Sequence, residues 1–134
     1  ARLLKGGRRI DYGLACRADA QGTEQYVFRI DTDGLAAIRR FSANAAVDRL
    51  LAEAPAPIAA IKAGTQPNVI RAVCVGAAGK PATLDLIVND TKVLEATDSS
   101  QPLDPAGTFG IVTQSDPGPS STVAFQNLIV NGVA

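Results

Sequence analysis

Alternation of apolar and polar residues is the dominant pattern along the chain. In the segment 25–31, Tyr26, Phe28 and Ile30 fall on one side of an extended backbone, and polar residues fall on the other. A period of two is typical of a half-buried β-strand. We predict further strands at 12–17, 35–41, 68–75, 83–88, 91–96, 109–114 and 122–130.

Short turn-forming segments separate these strands. The segment 18–24 carries Asp19, Gln21 and Gly22, and Asn89-Asp90 predicts a two-residue hairpin turn because both residue types tolerate positive φ. About eight short strands at roughly 8–12-residue spacing predict an all-β sandwich or barrel. The pattern places no helix between paired strands, which argues against βαβ topology.

The stretch 42–64 leaves two interpretations open. Local propensity favours a short helix over 45–53, which Pro55 and Pro57 would end. The alternative is an irregular strand that carries Val47, Leu50 and Leu51, and the surrounding β-pattern supports it.

Composition narrows the class of protein. The chain has 134 residues, 46% of them hydrophobic and 19% charged, so we expect one folded domain over residues 1–134. The net charge of zero gives no electrostatic reason to expect nucleic acid as a partner. No apolar run approaches the ~18 residues of a membrane span, so we expect no membrane insertion of this domain.

The chain contains no histidine. Histidine is the commonest general base and a frequent zinc ligand, so its absence argues against most hydrolytic dyads and zinc sites. We predict no cofactor and no metal ion.

Two cysteines, Cys16 and Cys74, each take an inward position in a predicted strand, and we expect these two strands to be neighbours. We predict that they form a disulfide in an oxidising compartment, because their strand contexts match. The alternative is two free buried thiols that behave as small hydrophobic residues. With the disulfide, we expect an exported chain in the extracellular space or cell envelope, part of a larger protein.

An ordered set of motifs extends over most of the chain. Tyr12-Gly13-Leu14-Ala15-Cys16-Arg17 is followed by an Asn68-to-Cys74 strand of the form N-x-x-R-x-x-C, by Leu86-Ile87-Val88-Asn89, and by Val123-Ala124-Phe125-Gln126-Asn127. The set resembles the concanavalin A-like lectin/glucanase superfamily, near the 3-keto-disaccharide hydrolase-like extracytoplasmic modules. The resemblance implies an antiparallel jelly-roll β-sandwich of about eight strands.

Three features depart from the family pattern. Asp90 stands where glycine is usual, and Gln126 stands where aspartate is usual. Family members also begin with one or two further strands, whereas here Ala1 to Leu4 matches only the tail of such a strand. The fold could therefore lack an N-terminal strand, which would leave an open sheet edge for self-association.

Carboxylates are candidates for glycosidase chemistry, which needs two of them roughly 5–9.5 Å apart. The three glutamates, Glu24, Glu53 and Glu95, lie in separate segments, and surface solvation is the simpler interpretation. Asp31-Thr32-Asp33-Gly34 resembles the start of a calcium loop, but no ligands follow it, and a hairpin turn is favoured. The alternative is calcium held between separate loops, with Asp104 or Asp116 as a further ligand.

Arg17, Arg29, Arg71 and Asp85 form the predicted ligand-binding set. All four lie at strand positions opposite the apolar residues, so they could gather on one outer face if the two meanders share a sheet. Arginine and carboxylate side chains can then hydrogen-bond a sugar or a carboxylate ligand. Cross-strand ion pairs without a ligand are the alternative.

The favoured function is a non-catalytic extracytoplasmic binding or sensor module, with a carbohydrate or cell-wall ligand implied by resemblance alone. A glycosidase-like enzyme, with Glu24, Glu53 or Asp85 as the acids, is the second hypothesis. A structural or assembly domain without a small ligand is the third.

Overall fold

The computed structural model describes residues 2–5, 10–64, 66–115, 122–126 and 128–130. Within these ranges every regular element is a β-strand. The ten strands are β1 (Arg2–Lys5), β2 (Ile10–Ala18), β3 (Glu24–Asp31), β4 (Ala36–Ser42), β5 (Arg49–Glu53), β6 (Ile70–Val75), β7 (Ala82–Val88), β8 (Thr91–Asp98), β9 (Thr108–Ser115) and β10 (Thr122–Ala124).

Two antiparallel sheets form the body of the molecule. One has the strand order β5-β4-β3-β2-β9, the other has the order β6-β7-β8, and β1 pairs with β10 apart from both. The inner faces of the two larger sheets share one hydrophobic core, to which Phe28 and Ile38 contribute from one side and Leu84 and Leu86 from the other. The predicted all-β antiparallel sandwich is therefore confirmed.

The alternation predicted from sequence holds in the central strands. Tyr26, Phe28 and Ile30 are buried and alternate with partly exposed residues along β3. The Asn89-Asp90 turn is also confirmed, because both residues have positive φ, of 49° and 67°, between paired Val88 and Thr91.

The segment 42–64 contains a strand, so the helix interpretation is wrong. Residues 45–47 form a turn, and β5 pairs antiparallel with β4. A β-bulge between Ile38 and Arg39 lets β5 follow the edge of the sheet, which explains the irregular pattern of its apolar residues. Strand pairing here outweighs the local helix propensity.

Cys16 of β2 and Cys74 of β6 form a disulfide, as predicted. Their Cα atoms are 6.8 Å apart, and the bond joins the two sheets across the core. The prediction that the two strands are neighbours in one sheet is wrong. They belong to different sheets, which face one another across the core.

A buried amide fixes the long connection between β5 and β6. Asn68 is 1% exposed, and its Nδ2 donates hydrogen bonds to the Tyr12 hydroxyl and to the Lys62 carbonyl, both at 2.9 Å. Its Oδ1 accepts from the Lys62 N–H and from Asn89 Nδ2. These bonds fasten the connection to both sheets, because Tyr12 belongs to one sheet and Asn89 joins two strands of the other.

The ends of the chain differ from the sequence predictions. Residues 1–4, which match the end of an N-terminal strand in the family pattern, overlap β1. At the other end, β10 stops at Ala124, whereas the sequence predicts a strand up to residue 130. Phe125 packs against the core, whereas Ile129 is 75% exposed. Most of the predicted 115–121 loop lies outside the described residues. No helix in the described part of the chain is long and apolar enough to cross a membrane.

Candidate functional site

Arg17, a member of the predicted ligand-binding set, is a buried residue. Its φ is +53°, and the register of β2 against β9 shifts between Ala15 and Ala18. The bulge turns the side chain away from the outer face. Its guanidinium donates hydrogen bonds to the Gly76 carbonyl at 2.8 Å and to the Leu103 carbonyl at 3.1 Å. The expected outward position is therefore wrong, because the alternation that predicted it ends at the bulge.

Gly107 makes this bulge possible. A Cβ atom at Gly107 would lie 2.6 Å from the backbone carbon of Arg17, so no larger residue fits without a shift of the backbone. Sequence alternation alone gives no sign of this long-range contact.

Arg71 and Asp85 lie on the other sheet, so the four predicted residues do not gather on one face. The two meanders form separate sheets, and the expectation that they share one is wrong. Arg71 is opposite Ile87, and Asp85 is opposite Val73. Asp85 lies 3.6 Å from Lys92 of β8 and forms an ion pair with it.

Arg29 is the predicted residue that lines a cleft. It lies on the outer face of the five-stranded sheet, since its neighbours Phe28 and Ile30 point into the core. The cleft has a volume of about 310 Å3, and we call it the Arg29 cleft. Its lining combines charged and small residues: Asp11, Arg29, Asp31, Leu35, Ala36, Ala37, Glu53, Ala54 and Pro55.

Strand register explains how these side chains meet. Arg29 is paired with Gly13 of β2 and with Ala37 of β4, and Ala37 is paired in turn with Glu53 of β5. Cross-strand partners project to the same side of a sheet. Arg29 and Glu53 therefore flank a floor made of small residues. A Cβ atom at Gly13 would lie 1.9 Å from the Phe28 carbonyl oxygen, so the position beside Arg29 on β2 requires glycine.

Opposite charges face each other in the cleft. Arg29 Nη1 lies 3.5 Å from Asp11 Oδ2, and both side chains keep contact with solvent, at 24% and 16% exposure. A guanidinium beside a carboxylate offers hydrogen-bond donors and acceptors within one site. The cleft lining holds one arginine and three carboxylates, Asp11, Asp31 and Glu53, so it disfavours an anion and suits an uncharged polar ligand better.

Asp31, which lines the cleft, stabilises the turn that follows β3. Its Oδ1 accepts hydrogen bonds from the N–H groups of Asp33 and Leu35, both at 2.9 Å, and the Gly34 N–H donates to its carbonyl. The hairpin-turn interpretation of 31–34 is thus confirmed. Among the described residues, no group of three or more His, Cys, Asp or Glu side chains is arranged to hold a metal ion.

A second ion pair lies next to the cleft on the same face. Arg39 of β4 contacts Asp48 through two hydrogen bonds, of 3.0 and 3.3 Å. The hydrogen bond from Arg39 lowers the pKa of Asp48 despite partial burial, and the charge of Arg29 contributes to the same lowering. Arg29, Arg39 and Asp48 therefore form one electrostatically connected surface.

The candidate catalytic acids do not converge. Glu24 pairs with Arg40 at 3.4 Å, Glu53 lines the Arg29 cleft, and Glu95 pairs with Lys92 at 3.1 Å. Asp85 projects from the outer face of the opposite sheet, because its neighbours Leu84 and Leu86 point into the core. Packed sheets lie ~10 Å apart, so Glu53 and Asp85 are too distant to act as a glycosidase pair.

Sequence reasoning missed Asp11, Arg39 and Asp48. Asp11 and Arg39 lie at outward-facing positions of β2 and β4. Alternation along the sequence could have identified these positions once the limits of the strands were known. Asp48 lies in the segment with two open interpretations, so its position depended on the pairing of β4 with β5.

Together, the fold and this surface define an antiparallel β-sandwich with a polar cleft on the outer face of one sheet. No protein-family model matches the chain, and no curated protein matches it. Among solved structures, the chain is similar to the carbohydrate binding module CBM66 from Bacillus subtilis, with a TM-score of 0.59 and 19% sequence identity over 86% of this chain. The chain spans 63% of the length of that structure. At this identity the similarity concerns the fold.

Proposed function

We propose that this protein is a non-catalytic binding or sensor module whose ligand is a neutral carbohydrate held in the Arg29 cleft. The observation that carries the proposal is the paired charge of Arg29 and Asp11 above a floor of small residues. Sugar hydroxyls both donate and accept hydrogen bonds, so a cleft that offers both suits them. The similarity in fold to a carbohydrate binding module supports the same ligand class.

An extracellular or cell-envelope location belongs to the proposal. The Cys16–Cys74 disulfide supports it, because structural disulfides persist in oxidising compartments. The finer resemblance, to the concanavalin A-like superfamily near the 3-keto-disaccharide hydrolase-like modules, is also part of the proposal. The ordered motifs described above support it.

Substitution of Arg29 by alanine should weaken carbohydrate binding without unfolding the protein. We expect a loss of affinity of at least about tenfold, because a charged hydrogen bond contributes roughly 1.5–3 kcal/mol. Titration calorimetry against soluble glucans, mannans, galactans, xylans and fructans measures the affinity. Thermal denaturation should show a melting temperature close to that of the wild type.

Arg71→Ala is the matched control, because Arg71 is an exposed arginine on the opposite sheet. It should change neither affinity nor melting temperature. If Arg71→Ala lost binding and Arg29→Ala kept it, the ligand site would lie on the three-stranded sheet, and our proposal would be wrong. Sugar release that disappears in Glu53→Gln would favour the glycosidase alternative.

Self-association is the second candidate function, and exposed apolar residues on β9 favour it. Phe109 and Ile111 are 54% and 50% exposed, although Ile111 is paired with Leu14 on the core side of the sheet. In the described part of the chain β9 is an edge strand of the five-stranded sheet. The opposite sheet is narrower, because it has only three strands. A second copy of the chain could cover these side chains. The sequence predicts a strand at 109–114, and the position of this strand at the sheet edge leaves Phe109 outside the core.

If this surface joins two copies, Phe109→Thr combined with Ile111→Thr should weaken the dimer by at least about tenfold. Each buried apolar side chain of this size contributes roughly 1.5–3 kcal/mol. Sedimentation velocity over a range of concentrations measures the association. Val69→Thr is the control, because Val69 is 71% exposed elsewhere. A wild-type chain that stays monomeric at every concentration contradicts this function.

A further inference from the structure

The outer face of the five-stranded sheet continues beyond the Arg29 cleft. Two residues before Arg29 on β3, Val27 is paired with Arg39, and Arg39 is paired with Leu50 of β5. Two residues further, Gln25 is paired with Phe41. Side chains at alternate positions share a face, so these rows lie on the same side of the sheet as Arg29.

Apolar side chains on this face are open to solvent. Phe41 is 37% exposed and Leu50 is 42% exposed. Register places them as diagonal neighbours on β4 and β5, because Arg39 is opposite Leu50 and Phe41 follows Arg39 by two residues. We call Phe41 and Leu50 the apolar platform.

The Arg39–Asp48 ion pair lies beside the apolar platform, because Arg39 is paired with Leu50 and precedes Phe41 by two residues on β4. Arg39 and Asp48 are 33% and 24% exposed, so both remain accessible to a bound molecule. From the row of Arg29 towards the row of Gln25, the surface therefore presents a polar cleft, then a row that holds Arg39 and Leu50, and then Phe41. Sugar rings combine apolar C–H faces with polar rims, and a row of such units meets both kinds of group. Aromatic side chains in binding sites supply apolar contact area in this way.

The distance between the Arg29 cleft and Phe41 indicates how long a ligand must be to contact both. The row of Arg29 and the row of Gln25 are four residues apart on one strand, which corresponds to about 14 Å. A single sugar unit in the Arg29 cleft cannot reach Phe41 over this distance, but a short oligosaccharide can.

We infer that the site takes a neutral oligosaccharide of about three units, with one unit in the Arg29 cleft and another on the apolar platform. The inference rests on the proposed carbohydrate function of the Arg29 cleft and deepens it. It makes Phe41 a residue that determines chain-length specificity.

The test compares saccharides of one, two and three units in the glucose, mannose, galactose, xylose and fructose series. In the series that the wild-type protein binds, affinity measured by titration calorimetry should rise by at least about tenfold from one unit to three. Phe41→Ala should remove most of this gain and leave the affinity for one unit unchanged. Arg29→Ala should weaken binding at every length.

Phe109→Ala is the matched control, because Phe109 is a half-exposed phenylalanine outside this face. It should leave the dependence on length intact. Leu50→Ala provides a second test of the platform if Phe41→Ala does not fold, and its effect should again appear only with longer saccharides. Thermal denaturation of each variant establishes that it is folded.

Two negative results have different meanings. Binding that Arg29→Ala weakens, but that is equal for one and three units and insensitive to Phe41→Ala and Leu50→Ala, overturns this inference and leaves the proposed function standing. Absence of binding to every saccharide, at every length, overturns both.

Discussion

Replacement of Cys16 and Cys74 by alanine should lower the free energy of unfolding by about 4 kcal/mol. The disulfide closes a loop with a sequence separation of 58 residues. In the chain-entropy model, a cross-link that closes a loop of this length restricts the unfolded chain and so favours the folded state. A domain of this size has a stability of roughly 5–15 kcal/mol, so loss of the bond should remove between about a quarter and most of that stability.

Urea denaturation of the oxidised wild type, the reduced wild type and the double variant measures this effect. The reduced wild type and the double variant should agree to within about 1 kcal/mol, because both lack the cross-link. Thiol titration of the denatured, unreduced protein should find no free thiol. Two free thiols per chain, or equal stability of the oxidised and reduced forms, would contradict the proposal of an exported, cross-linked module.

Asp98→Asn should destabilise the protein by about 3–5 kcal/mol, because it removes the charge of a buried carboxylate that pairs with both Arg40 and Arg49. Asp98 is 1% exposed, and its carboxylate lies 2.5 Å from Arg49 Nη2 and 3.6 Å from Arg40 Nε. The Tyr26 hydroxyl donates a hydrogen bond of 2.8 Å to the same carboxylate. Burial raises the pKa of Tyr26 to about 12, so the hydroxyl keeps its proton over the physiological range.

The effect of Asp98 on stability should also depend on pH. Burial alone would raise the pKa of Asp98, but hydrogen bonds from Tyr26 and the Gln101 N–H, together with the charge of Arg49, lower it below the usual value. A lowered folded-state pKa contributes stability above the unfolded value of about 3.9, and this stability is lost as the pH falls through the folded-state pKa. Asp98→Asn should therefore reduce the acid sensitivity of the protein.

Asp48→Asn is the control for this prediction. Asp48 also pairs with an arginine, but its side chain is 24% exposed, so its loss should cost no more than about 1 kcal/mol. Denaturant titrations between about pH 2 and pH 7 span the ordinary range of carboxylate titration and compare both variants with the wild type. If both substitutions lowered the free energy of unfolding by the same amount, the contribution of Asp98 to stability would not depend on its burial.

Several features of the fold followed from local sequence. Alternation of apolar residues identified the central strands, and Tyr26, Phe28 and Ile30 are buried as that pattern predicts. Asn89 and Asp90 form the predicted turn because tolerance of positive φ is a local property. The disulfide was predictable because inward strand positions bring cysteines into the core, although the sequence did not reveal that the bond would span two sheets.

The candidate site was only partly predictable. Arg29 was found from its outward strand position, and the structure places it in a cleft with Asp11 and Glu53. Arg17 was misplaced because a bulge against β9 reversed its direction. Arg71 and Asp85 were misplaced because alternation fixes the face of a strand but does not say which strands share a sheet.

The sequence by itself determined the β-class, the central strands and the inward residues, because each depends on neighbours within a few positions along the chain. Only the tertiary structure decided that 49–53 is a strand, that Arg17 is buried, and that Asp11, Arg29 and Glu53 meet at one cleft. Each of these outcomes depends on strand pairing between distant segments. A shift of one residue in that pairing moves a side chain to the opposite face of its sheet, which is why local pattern could not fix the site.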